Sequence, residues 1–154
     1  MAMRRPRRLP HGPQAWDLVE RADRANFGLA LDSFHALATG AALDGLEALD
    51  PGKVFLVQLA DFMWQEVRSP EERINTARHF RVFPGEGVHG AEVAALVRRL
   101  DEMGYRGDYS FEVFNDDFVQ LPAHVVAARA RQSVKWLTDQ VSRRSLPIRR
   151  AAKR

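Results

Sequence analysis

Three short apolar runs, each stopping at an oxygen-bearing side chain, constrain this chain more than any other feature. They are Phe27 to Leu31 before Asp32, Val54 to Leu59 with Gln58 near its end and Asp61 just beyond, and Tyr109 to Phe114 with Glu112 inside it. Runs of about six residues with polar groups on either side are too short for helices and suit strands buried on both faces, as in a parallel sheet. A carboxylate at the tip of such a strand is not explained by packing. In α/β proteins ligands are held at the carboxyl ends of the strands.

Between these runs the apolar spacing turns helical. Ala15 to Ala25 places Trp16, Leu18, Val19 and Ala22 on one side, and Ala41 to Leu49 reads as a second helix. Ser69-Pro70-Glu71-Glu72 has the chemistry of a helix start, with serine capping and proline in the first position. Ala91 to Met103 carries the stripe Val93, Leu96, Val97, Leu100 and Met103, and Gly104 follows where a helix end favours glycine. Pro122 opens a long C-terminal helix to about Val141, with Val126, Ala130, Val134, Leu137 and Val141 expected on its inner face. His79 to Phe83 reads as one further strand. The order predicts an α/β fold of about four parallel strands alternating with helices. That is half of an eight-stranded barrel, which takes about 250 residues when whole.

The net charge of +3 divides unevenly. Residues 1–14 hold four arginines and residues 143–154 five arginines and a lysine, with no acid in either end. With that +10 removed, residues 15–142 carry −7 of the total +3. The expected organisation is therefore an acidic domain over 15–142 between two disordered basic ends. Those ends lack the interleaved aromatics that stack on bases, which argues against a nucleic-acid partner. The chain has no cysteine. Disulfides, thiolate metal sites and cysteine nucleophiles are excluded, and the cytoplasm is the expected compartment. No apolar run approaches the ~20 residues that span a bilayer.

Asp32, Gln58 and Glu112 all fall at the carboxyl ends of expected parallel strands. Two carboxylates and an amide oxygen are hard donors that suit Mg²⁺ or Mn²⁺, with Co²⁺ compatible. The competing reading is that Asp32 caps the next turn and Gln58 satisfies backbone groups. His35, three residues past Asp32, is placed to act as a general acid or base, or else faces solvent from the loop. Arg78 and Arg81 precede a Pro84-Gly85-Glu86-Gly87 loop, where guanidinium groups suit a substrate carboxylate or form surface ion pairs. Gly85 and Gly87 read as turn formers rather than a phosphate loop.

The ordered set DSFH, QLAD, RHFRVFPGEG and GYRGDYSFEVFND resembles the second half of a xylose-isomerase-like TIM barrel. This group includes sugar phosphate isomerases and epimerases and the apurinic endonuclease IV fold. Within it the likeness is greatest to bacterial dehydroshikimate dehydratases, particularly those fused to a hydroxyphenylpyruvate dioxygenase-like domain, and it spans about Ala15 to Val141. The resemblance implies a divalent metal held by Asp32, Gln58 and Glu112, His35 moving protons beside it, and Arg81, with Arg78, clamping the substrate carboxylate. It implies loss of water from dehydroshikimate to give protocatechuate, or an isomerase acting on a related sugar. A fourth ligand of the family, a glutamate on the fourth strand, precedes the matched region. The chain is therefore expected to be a truncated or split form, with a homo-oligomer or a complementary half-barrel as partner. A multi-zinc endonuclease site would need more histidine than the five present.

Overall fold

The computed structural model describes residues 13–39 and 45–142. The first helix, α1 (Pro13–Ala22), buries Trp16 and Val19 and leads through Asp23, whose φ is +43°, into β1 (Leu29–Asp32). Helix α2 (Ser33–Ala38) follows without a gap because Asp32 serves as its N-cap. Two single 3-10 turns, Leu46–Ala48 and Pro51–Lys53, then lead into β2 (Val54–Leu59). Of the expected helix from Ala41 to Leu49, residues 46–48 form the first of these turns, and 41–44 lie outside the described residues.

After β2 come β3 (Asp61–Phe62), α3 (Pro70–His79), β4 (Arg81–Val82), α4 (Gly90–Glu102), β5 (Asp108–Phe111) and α5 (Ala123–Ser142). Ser69 closes a full capping box with Glu72 at the start of α3, as its sequence chemistry implies. Gly104 ends α4 with φ +92°, a conformation only glycine adopts without strain.

β1, β2 and β5 form one parallel sheet in the order β1-β2-β5. The run at His79 to Phe83 does not join it. α3 extends to His79 and Pro84, lacking an N–H, cuts the run short, so only Arg81–Val82 pair, antiparallel, with β3. The parallel sheet has three strands among the described residues, not four. The architecture is still that of an open, partial barrel with helices along one face.

Val57 and Leu59 are buried on the helical side of the sheet, in one core with Val93, Leu96 and Leu100 of α4. The opposite face is uncovered: Ala30 is exposed, and Leu56, Gln58 and Ser110 are half-buried. α5 packs through Val126, Ala130 and Leu137 as expected, with one departure. Val134 is exposed, whereas Ser133 is buried and donates to the Pro84 carbonyl at 2.7 Å. The Trp136 ring lies against Gly85 and Gly90, where any Cβ would collide with it. Among the described residues no helix is long and apolar enough to cross a membrane.

Candidate functional site

The DSFH turn is built from four different jobs. Asp32 Oδ1 accepts the Phe34 N–H at 2.8 Å, capping α2. Ser33 Oγ donates to the Ala60 carbonyl and accepts the Ala60 N–H, both at 2.8 Å, locking the start of α2 to the end of β2. Phe34 is fully buried against Phe62. His35 stays outside, its side chain 60% exposed, with Nε2 3.6 Å from Asp32 Oδ2.

Register then decides which oxygens share a face. Asp32 is paired with Gln58 across β1 and β2, and Gln58 with Ser110 across β2 and β5. Glu112 lies two residues beyond Ser110, and its N–H continues the ladder to the Leu59 carbonyl at 3.1 Å. Side chains alternate along a strand, so Asp32, Gln58 and Glu112 all rise from the uncovered face at its carboxyl end. Gln58 Nε2 donates to Glu112 Oε2 at 2.8 Å. The three donors expected from the sequence are thus brought to one edge. The capping role of Asp32 is also present.

The arginines are placed differently from one another. Arg78 is exposed on the last turn of α3. Arg81 is buried and faces inward: one terminal nitrogen donates to Asp32 Oδ2 at 2.9 Å and to the Glu112 carbonyl at 3.2 Å, and Nε donates to the Ala77 carbonyl at 2.8 Å. Its guanidinium carbon lies 4.6 Å from the Phe34 ring centre. Arg81 therefore holds a carboxylate of its own chain.

Asp61, which the sequence presents as a strand-end carboxylate like the others, has no free oxygen to offer. It is fully buried and accepts four backbone N–H groups: Phe62 and His89 on Oδ1, at 2.8 and 2.9 Å, and Gly85 and Gly87 on Oδ2, both at 3.2 Å. It organises the PGEG loop. Glu86 of that loop is gripped through both oxygens by Arg129 of α5, at 2.8 and 3.0 Å. The Gly-rich stretch is thus a fastened turn. His79, outside the oxygen cluster, pairs with Asp116 at 3.1 Å, and the buried His89 ring stacks on Phe62.

As a metal site the donor set has hard oxygens from two carboxylates and one amide, the chemistry that suits a divalent cation with oxygen preference. Among the described residues no three His, Asp or Glu side chains alone form a metal-binding group, so Gln58 is indispensable to the set. Asp32 and Glu112 each have lone pairs beyond those their hydrogen bonds use.

A model of the xylose isomerase-like TIM barrel family matches residues 6–140. The chain belongs to that family. A protein named 3-dehydroshikimate dehydratase from Pseudomonas aeruginosa is 41% identical over 127 residues, covering 82% of this chain and 19% of the relative. An inosose isomerase from Halalkalibacterium halodurans is 31% identical over 127 residues, covering 78% of this chain and 40% of that protein. Among solved structures, a xylose isomerase-like TIM barrel/4-hydroxyphenylpyruvate dioxygenase fusion protein matches with a TM-score of 0.74 at 34% identity, over 85% of this chain and 20% of that one. The IOLI protein with a bound zinc atom matches with a TM-score of 0.64 at 28% identity, over 84% of this chain and 43% of that one. The chain thus spans between about one fifth and two fifths of the length of these relatives.

Proposed function

We propose that this chain carries the carboxyl-terminal share of a divalent-metal-dependent lyase site of the dehydroshikimate dehydratase kind. The observation that carries the reading is the shared face of Asp32, Gln58 and Glu112 at the ends of three consecutively paired strands. The 41% identity to a named 3-dehydroshikimate dehydratase supports the substrate class, a carboxylated cyclic hydroxy-ketone.

Asp32, Gln58 and Glu112 would hold Mg²⁺, Mn²⁺ or Co²⁺. When bound, such a cation polarises a carbonyl oxygen and so acidifies the adjacent C–H bond. His35, at the exposed rim beside Asp32, takes that proton and returns one to the departing hydroxyl, so that water is lost and protocatechuate forms. Arg78, exposed on α3, would meet the substrate carboxylate. A second copy, or a complementary half-barrel, would cover the open sheet face and its edges and exclude water from the site.

Calorimetric titration with Mn²⁺ tests the metal, comparing the wild type with Glu112→Ala. Binding heat in the first and none in the second is expected; identical heats remove the site. Dehydroshikimate supplied with Mn²⁺ should yield protocatechuate, read by its ultraviolet absorbance. Turnover of an inosose instead would favour the isomerase reading that the 31% identical relative supports.

A further inference from the structure

Among the described residues, Arg81 is the one cation set inside the oxygen cluster. Its side chain is 5% exposed and Asp32's 14%, so the pair is largely shielded from solvent. Asp32 ends β1 and Glu112 follows β5, with β2 between them, so no backbone ladder joins those two strands directly. The Arg81 guanidinium does. A single terminal nitrogen touches the Asp32 carboxylate and the Glu112 carbonyl, while Nε is anchored on Ala77. Phe34 and Phe114 flank the group at 4.6 and 5.8 Å. The other oxygen of Asp32 is fixed by the Phe34 N–H. Both oxygens of this carboxylate are therefore set in direction before any ligand arrives.

We infer that Arg81 is a positioning residue, which aims the Asp32 carboxylate at the Gln58–Glu112 pair for a divalent cation. The inference rests on the metal reading above. Two effects of Arg81 oppose each other: its positive charge repels a cation, and its rigid fork orients the ligand. Arg81→Lys separates them. Lysine keeps the charge and loses the planar fork that grips Asp32, Glu112 and Ala77 together. If orientation governs, cation binding weakens despite unchanged charge.

The test is titration with Co²⁺, followed by its visible absorption and by calorimetry, on the wild type, Glu112→Ala, Arg81→Lys and Phe114→Leu. Loss of an orienting partner typically weakens metal binding about 10–100-fold, and that is the change expected for Arg81→Lys, with a shifted Co²⁺ band. A purely structural role would lower the urea midpoint and leave the affinity and spectrum of the folded protein as they are; that result overturns the inference. Should Arg81→Lys fail to fold, Phe114→Leu decides. It loosens one flank of the guanidinium from an exposed position, and a weaker Co²⁺ complex supports the inference, whereas an unchanged one overturns it. If the wild type and Glu112→Ala take up Co²⁺ alike, the metal reading has failed first and carries this inference down with it. An intact wild-type response with an indifferent Arg81→Lys sinks the positioning role alone.

Discussion

Replacing Asp61 by asparagine decides whether the end of β2 is an anchor or a spare ligand. The carboxylate is fully buried and receives two backbone N–H groups on each oxygen, from Phe62 and His89 on one and from Gly85 and Gly87 on the other. Asparagine is nearly the same size, so packing is preserved. One oxygen, however, becomes an NH₂ group that faces two N–H donors. Either pair of bonds is lost, and hydrogen bonds to charged groups contribute roughly 1.5–3 kcal/mol each. The expected loss is about 3–6 kcal/mol, against a total stability of roughly 5–15 kcal/mol for a domain. For a chain of this size each kcal/mol moves the melting midpoint by about 2–4 °C, so a fall on the order of 10–20 °C follows. Urea unfolding followed by circular dichroism, with the m-value compared, measures it. A midpoint shift worth less than about 1 kcal/mol at unchanged m would refute the anchoring role, since the four donors would then have other partners.

Gly87→Ala should act on the same contact from the other side, because its Cβ would lie 2.4 Å from both Asp61 Oδ1 and the Phe62 carbonyl. Overpacking of this kind costs about 1–3 kcal/mol, and a variant as stable as the wild type in urea would contradict the geometry. Burial, then Tyr105 and Asp101, push the Tyr109 phenol up to about 12, and burial followed by Asp108 raises Tyr105. The folded state thus holds these protons more tightly than the unfolded chain. The stabilisation is complete below pH 10 and is lost as pH rises from about 10 toward 12. Absorbance at about 295 nm reads the ionisation of the chain's two tyrosines, and titration of both at the free-phenol value of about 10 would dispose of the claim. Ser69→Ala removes the cap of α3 and should cost about 1 kcal/mol, seen as faster amide exchange over residues 71–73; unchanged exchange would mean the capping box is idle.

Local chemistry made much of the fold legible. β2 lies at Val54–Leu59 where the apolar run placed it, α4 follows its stripe of Val93, Leu96 and Leu100, and α3 starts at the Ser69-Pro70 signal. Failures came where a neighbour overrode a local pattern. His79 to Phe83 alternates like a strand, but α3 claims its first residue and Pro84 stops it, so only Arg81–Val82 form a strand, paired with β3, while Phe80 makes an isolated bridge to Asn115. Val134 matches the inner-face spacing of α5, yet the fit of Ser133 and Trp136 onto the PGEG loop turns it outward.

By its own chemistry the sequence determined which residues carry oxygens at strand ends, since strand identity and alternation are properties of a few consecutive side chains. It could not say which of those oxygens were already taken. Asp32, Gln58, Asp61 and Glu112 look alike along the chain, but three of the four amides that saturate Asp61 come from a segment more than twenty residues away, while Arg81 reaches across forty-nine positions to hold Asp32. Those assignments depend on contacts between distant segments, and only the packed tertiary structure brings such donors within hydrogen-bonding range.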